Sequence, residues 1–275
     1  MATKLAVITG ASSGIGATFA RRLAADYDLL LIARRKDRLD ELADELHAAR
    51  GTNVEVLPAD LCVDKDLEKV AVRLAGDPRL VLLINNAGFG TKGRFWEAPL
   101  EGQTQMHQLH VMAAMRLTHA ALGNMVPRDF GGVINVASVA SFARSPGSVS
   151  YCATKAWMAA FTEALHLELK GMGSQVLVQA LCPGFTYSEF HDVMAVSRAA
   201  MAGPKFWLRA DEVVDASLEG LRRGKLFVIP GWRYRVLVSL LTKLPSALRV
   251  ALESKGSRAR LEAKLAPKPH QGAIE

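Results

Sequence analysis

The stretch Lys4-Leu5-Ala6-Val7-Ile8-Thr9-Gly10-Ala11-Ser12-Ser13-Gly14-Ile15-Gly16 decides the fold. Residues 5–8 are a short apolar run of the kind that is buried on both faces of a parallel sheet. Glycines follow at 10, 14 and 16, and Ile15, Phe19 and Leu23 then recur at helical spacing. Strand, glycine-rich turn and helix in that order suit a pyrophosphate resting on a helix N-terminus. Gly10 permits the tight turn, and Gly14 and Gly16 keep side chains out of the way. Ser12, Ser13 and Ile15 complete the candidate lining. The spacing is G-x-x-x-G-x-G rather than G-x-G-x-x-G, so an ordinary glycine-rich turn stays open as the alternative.

Working outward, Asp28-Leu29-Leu30-Leu31-Ile32-Ala33 predicts a second strand, ending in Arg34, Arg35 and Lys36. The end of the second strand meets the adenosine ribose in dinucleotide folds. An acid there binds the 2′-hydroxyl, whereas arginine suits a 2′-phosphate. Arg34 stands where the acid would be, with Arg35 beside it, which favours NADP(H) over NAD(H). The same bases also open an amphipathic helix carrying Leu39, Leu42 and Leu46, and a solvated helix start is the plainer reading.

Further strands are expected near 53–57, 80–84, 132–137, 175–180 and 225–229, alternating with helices. That alternation implies right-handed crossovers and a single α/β domain: a doubly wound, Rossmann-like parallel sheet with ligands beyond the carboxyl ends of the strands.

Tyr151-Cys152-Ala153-Thr154-Lys155 carries the chemistry, with Ser138 thirteen residues before the tyrosine. A tyrosine and a lysine four apart share one helix face. A nearby ammonium favours phenolate, so the phenol could trade a proton with a substrate oxygen nearer neutrality. A serine hydroxyl alongside could hydrogen-bond the oxygen on which charge changes. Alone, Tyr-x-x-x-Lys is more often an interfacial tyrosine beside a solvated lysine.

Together these residues resemble the short-chain dehydrogenase/reductase family, over roughly residues 4–230, and more finely a bacterial branch of NADP-type ketone reductases. The motifs stand in the family's order: Thr9-Gly-x-x-x-Gly-x-Gly16, Asp60-Leu61, Asn85-Asn86-Ala87-Gly88, Ser138, Tyr151-x-x-x-Lys155 and Pro183-Gly184. The resemblance implies that Asp60, with Leu61, meets the adenine. It implies that Asn86, Ala87 and Gly88 run along the adenosine ribose, and that Lys155 also holds the nicotinamide ribose. Pro183, Gly184 and Thr186 would border the nicotinamide. It further implies a homodimer or homotetramer formed through long helices near 101–126 and 150–171. One departure stands out. His110 occupies the place of a family asparagine that anchors a proton-relaying water. An imidazole could hold that water, or it could simply pack between helices.

The 275 residues carry 34 basic and 27 acidic side chains, a net charge of +7. The excess is concentrated late: between residues 233 and 264, eight Lys or Arg answer only Glu253 and Glu262. The domain reading is a catalytic body over 1–232, with a substrate lid at 185–209, followed by a basic amphipathic extension over 233–275. The extension could touch an anionic membrane surface or, the favoured reading, form a helix pair covering the pocket or a subunit interface. Without an aromatic platform or recognition motif, nucleic acid is not expected as a partner. Cys62, Cys152 and Cys182 lack metal or redox spacing, so no metal is expected and the thiols read as reduced. The first strand starts too early for a signal peptide, which gives a cytoplasmic expectation.

The resulting expectation is an NADP(H)-dependent oxidoreductase acting on an apolar ketone, aldehyde or alcohol. Tyr151 would serve as acid/base, Lys155 as its partner and Ser138 as the carbonyl's orienter. The alternative is a dinucleotide-binding sensor or scaffold with little catalysis.

Overall fold

A computed structural model of the chain describes residues 4–91, 93–187 and 203–255. The first strand, β1 (Leu5–Thr9), is buried along its whole length, as a strand covered on both faces must be. Its alternate side chains feed two cores. Ala6 and Ile8 face α1 (Gly14–Leu23) and α2 (Lys36–Arg50) through Phe19, Leu23, Leu39, Leu42 and Leu46. Leu5 and Val7 face α3 (Asp64–Ala75), through Leu67, Val70 and Leu74, on the other side.

The sheet continues with β2 (Asp28–Ala33), β3 (Val54–Pro58), β4 (Leu80–Asn85), β5 (Gly132–Val136), β6 (Leu177–Leu181) and β7 (Phe227–Val228). All seven strands are parallel, in the order β3-β2-β1-β4-β5-β6-β7. The fold is therefore the Rossmann-like, doubly wound sheet expected. Strand order reverses between β1 and β4, opening the crevice where such sheets take ligands. β6 and β7 begin two residues later than expected, and β7 shrinks to two residues.

The long helix expected near 101–126 is interrupted. α4 (Leu100–His107) passes into a π-helical stretch, Gln108–Ala113, before α5 (Ala114–Met125). An inserted π turn often marks a functional site, and His110 lies in this one. α6 (Val149–Gly171) runs unbroken, and α7 (Ala210–Arg222) packs Val213 and Val214 onto the same core as α1. The extension forms α8 (Trp232–Lys243) and α9 (Ser246–Ser254), broken by Pro245.

A polar seam crosses the core. Asn85 and Asn135 are register partners on β4 and β5. The Asn85 amide donates to Asn135 Oδ1 (2.8 Å) and to Thr118 Oγ1 on α5 (2.9 Å), and the Asn135 amide donates to Thr162 Oγ1 on α6 (2.9 Å). All four residues are buried.

Candidate active site

Every candidate motif lies at the carboxyl edge of the sheet. After β1, Gly10 (φ +65°) and Gly14 (φ +54°) adopt left-handed conformations that disfavour any side chain. A Cβ on Gly16 would run into the Gly10 carbonyl oxygen, and one on Gly10 would lie 2.8 Å from Ala87 Cα. The loop after β4 is laced to this turn. Thr9 Oγ1 accepts the N–H groups of Asn86 and Ala87, both at 3.0 Å, and the Asn86 amide donates to the carbonyls of Thr9 (2.9 Å) and Gly10 (3.1 Å). Asn86 thus holds the turn's shape. Ser13 precedes α1 without spending its side chain as a cap, so the first-turn N–H groups of α1 face the crevice uncapped by it. A cradle emptied of side chains on an uncapped helix start fits a dinucleotide pyrophosphate.

The loops after β2 and β3 carry charged side chains. Arg35 Nη2 donates to Ser12 Oγ (3.1 Å), while exposed Arg34 lies near enough to Cys62 to act on its thiol. Asp60 Oδ1 accepts the Cys62 N–H at 3.0 Å, and Leu61 is buried beside it. Burial pushes the Cys62 thiol up to about 11 and the Cys182 thiol up to about 12, so both remain protonated near neutrality.

Ser138 follows β5 in extended backbone and caps a short 3₁₀ turn, Val139–Ser141, by accepting the Ala140 N–H (3.1 Å). Tyr151 stands in the first turn of α6, and Lys155 one turn later. Lys155 Nζ is buried and donates to the Val136 carbonyl (2.7 Å) at the end of β5. It sits 6.0 Å from the centre of the Tyr151 ring. The three side chains thus converge on the end of β5.

The electrostatics differ from expectation. Burial pushes Tyr151 up to about 12, only partly offset by its hydrogen bond with Ser138. Burial likewise brings Lys155 down to about 8. Desolvation is the largest cause of both shifts. The spacing Tyr-x-x-x-Lys announces the pair but not how deeply it is buried.

His110 is fully buried, with both ring nitrogens engaged. Nε2 accepts the Phe89 N–H (3.2 Å), which leaves the proton on Nδ1, 2.9 Å from Thr154 Oγ1. Thr154 in turn donates to the Tyr151 carbonyl (3.1 Å). Burial, then the positive Lys155, holds the imidazole well below its ordinary value, so it is neutral. Its ring meets that of Tyr151 edge-on, with centroids 5.9 Å apart, and lies 2.7 Å from where a Gly88 Cβ would be.

Tyr234 belongs to this site although nothing in its local sequence marks it. Buried on α8, it fills the space beside Gly184 so completely that a Cβ there would fall inside its ring. Its hydroxyl donates to the Phe206 carbonyl (2.6 Å) and accepts the Phe185 N–H (3.0 Å). α9 touches the other loop, where Glu253 Oε1 accepts the Arg144 N–H (2.9 Å). Residues of α8 and α9 thus contact the loops after β6 and β5.

Aromatic side chains pack on one another in the segments after β5 and β6. Trp207 packs on Phe185 and Tyr187, with centroids 5.5 and 5.1 Å away, and Phe142 meets Phe227 edge-on. Thr186 bridges Leu208 and donates to the Gly184 carbonyl (3.1 Å). Of the expected lid, Phe190, Met194 and Met201 lie outside the described residues. Two arginines in neighbouring loops are engaged within the protein: Arg94 pairs with Glu97, and Arg144 donates to the Ser141 carbonyl.

A family model described as short chain dehydrogenase matches residues 4–196. A short-chain dehydrogenase from Sphingobium yanoikuyae, solved with NADPH, is 37% identical, covers 89% of this chain and 97% of its own, and superposes with a TM-score of 0.79. A bulky-bulky ketone specific alcohol dehydrogenase from Comamonas testosteroni is 33% identical over 90% of this chain and 97% of its own, with a TM-score of 0.75. A Burkholderia phymatum short chain dehydrogenase/reductase, solved with NAD, is 25% identical over 91% and 95%, with a TM-score of 0.78.

Proposed function

Since the chain belongs to the short-chain dehydrogenase family, whose members are oxidoreductases binding a nicotinamide cofactor, we propose that it interconverts an apolar ketone or aldehyde and the corresponding alcohol with NADP(H). The observation that carries this reading is the convergence of Ser138, Tyr151 and Lys155 at the end of β5, beside a glycine cradle shaped for the dinucleotide.

The bound nicotinamide supplies or accepts the hydride. Gly10, Ser12, Ser13, Gly14, Ile15 and Gly16 hold the pyrophosphate against the start of α1. Arg34 and Arg35 meet the 2′-phosphate, and Asp60 and Leu61 the adenine. Asn86, Ala87 and Gly88 line the adenosine side, and Pro183, Gly184 and Thr186 the nicotinamide side. Tyr151 passes the proton to the carbonyl oxygen during reduction and takes it back during oxidation. A phenol raised to about 12 is protonated at neutral pH, ready to donate. Ser138 orients the substrate oxygen, and Lys155 holds the nicotinamide ribose and brings positive charge to the phenol. His110, with both nitrogens committed inside the protein, positions the Tyr151 helix rather than relaying a proton. The aromatic lining from Phe185, Tyr187 and Trp207 favours an apolar substrate. A second copy of the chain packs on the outer faces of α5 and α6, where Met115 and Leu167, with Met172 just beyond α6, are exposed.

The test is NADPH oxidation, followed by absorbance, over a panel of aliphatic and aryl ketones, alongside Tyr151→Phe. Turnover by the natural chain, with turnover abolished and NADPH binding retained in the variant, is the expected result. Undiminished turnover in Tyr151→Phe, or NADPH binding without turnover on any carbonyl, overturns the proposal.

A further inference from the structure

α8 has two apolar faces. Tyr234, Val238 and Leu241 are buried against the body of the protein. Trp232, Val236 and Leu240, spaced by four residues and so forming one stripe, face outward, with Trp232 60% and Leu240 61% exposed. α9 has no buried residue, and its Leu248, 58% exposed, stands one turn from exposed Leu252. Single exposed leucines are ordinary, but stripes of them on successive helices mark an interaction surface.

The charge around these stripes is almost wholly positive, and Glu253 on α9 is engaged by the Arg144 N–H. No acidic residue occurs from Gly220 to Leu252, while Arg222, Arg223, Lys225, Arg233, Arg235, Lys243 and Arg249 do. Arg222 and Arg223 pair with Glu219, and Arg233 donates to the Lys205 carbonyl. Arg235 and Lys243 are exposed on α8 itself. A second copy seated symmetrically on this face would set these cations against one another, with no acid between Gly220 and Leu252 to answer them. An anionic lipid surface offers both what the leucines lack and what the cations seek.

We infer that the outer face of α8 and α9 docks on the surface of an anionic phospholipid bilayer. Trp232, Leu240 and Leu248 enter the headgroup boundary, and Arg235 and Lys243 meet the lipid phosphates. Among the described residues no helix is long and apolar enough to cross a membrane, and surface docking needs none.

The experiment is co-sedimentation of the full chain with phosphatidylcholine vesicles and with equimolar phosphatidylcholine–phosphatidylglycerol vesicles. Binding is expected on the anionic vesicles and should weaken as salt rises. Arg235→Glu and Lys243→Glu should each lower partitioning by at least ~5-fold, and Leu240→Ser combined with Leu248→Ser should lower it further. These positions are exposed, so the variants should keep the melting temperature of the parent, which verifies folding. Equal partitioning on both vesicle types, no binding to either, or variants that bind like the parent overturns the inference. So does a dimer in sedimentation equilibrium that Leu240→Ser dissociates, because a second copy would then own the face.

Discussion

The ring of Tyr234 occupies the space that a side chain on Gly184 would need, and its hydroxyl joins the Phe185 N–H to the Phe206 carbonyl. A helix beyond the last strand thereby sets the shape of the turn after β6. Gly184→Ala should displace the ring and destabilise the protein by about 1–3 kcal/mol, as overpacking does. Tyr234→Phe removes the hydroxyl that joins the Phe185 N–H to the Phe206 carbonyl, at a similar cost of about 1–3 kcal/mol. It should also raise the KM for the dinucleotide more than it lowers kcat. Urea denaturation and steady-state kinetics measure the two effects, and parent-like values in both variants would contradict this account.

His110 gives the fold a dependence on acidity. The unfolded chain takes up a proton at this imidazole below about pH 6.5. The native state refuses that proton until well below this value, because burial holds the ring neutral. Stability is therefore lost as pH falls through about 6.5, and His110→Asn should remove that slope. The variant should have a pH–rate profile parallel to the parent's, because the ring does not titrate near neutrality. Stability curves over a pH series, and rates over the same range, test both parts.

Arg34 and Arg35 follow β2, one near Cys62 and one on Ser12. If they meet a 2′-phosphate, Arg34→Asp should raise the KM for NADPH by about 10- to 100-fold, the loss of a charge-assisted contact, while sparing NADH. Parallel titrations of the two cofactors decide it. An equal loss for both would assign the arginines to the body of the protein instead.

Asp77 anchors the end of α3. Its buried carboxylate accepts from Arg73 (2.6 Å) and Arg79 (2.7 Å), and Arg79, then Arg73, hold it well below the ordinary carboxylate range. Its contribution is present at neutral pH and is lost as pH falls below about 4, where the unfolded chain becomes protonated first. Asp77→Asn should cost about 1–3 kcal/mol at pH 7, with the gap to the parent closing in acid. Guanidinium melts at the two pH values give the comparison.

Much of this was legible in the chain because its signals are local. Gly10 and Gly14 need φ values that residues with side chains avoid, so their spacing gives the turn directly. The runs at 5–8 and 29–32 lack polar residues because both faces of those strands are covered. Tyr151 and Lys155 share a helix face by count alone. What could not be read depends on contacts distant in sequence. Tyr234 lies 50 residues beyond Gly184, and no local pattern says which turn a C-terminal tyrosine fills. The partners of His110 are Phe89 and Thr154, which come from different elements, so relay and packing were equally open from sequence. The direction of the Tyr151 shift depends on burial, which a spacing cannot show.

The paired amides of Asn85 and Asn135 bear on how the chain finds its alignment. If β5 slid by one residue along β4, the bond between the two amides would break and the Asn135 amide would leave Thr162, stranding a donor in hydrocarbon at about 1–3 kcal/mol. Leucines and valines would tolerate such a slide almost indifferently. The two asparagines therefore work as a key cut for a single setting of the central strands, and that setting puts Ser138 opposite Tyr151.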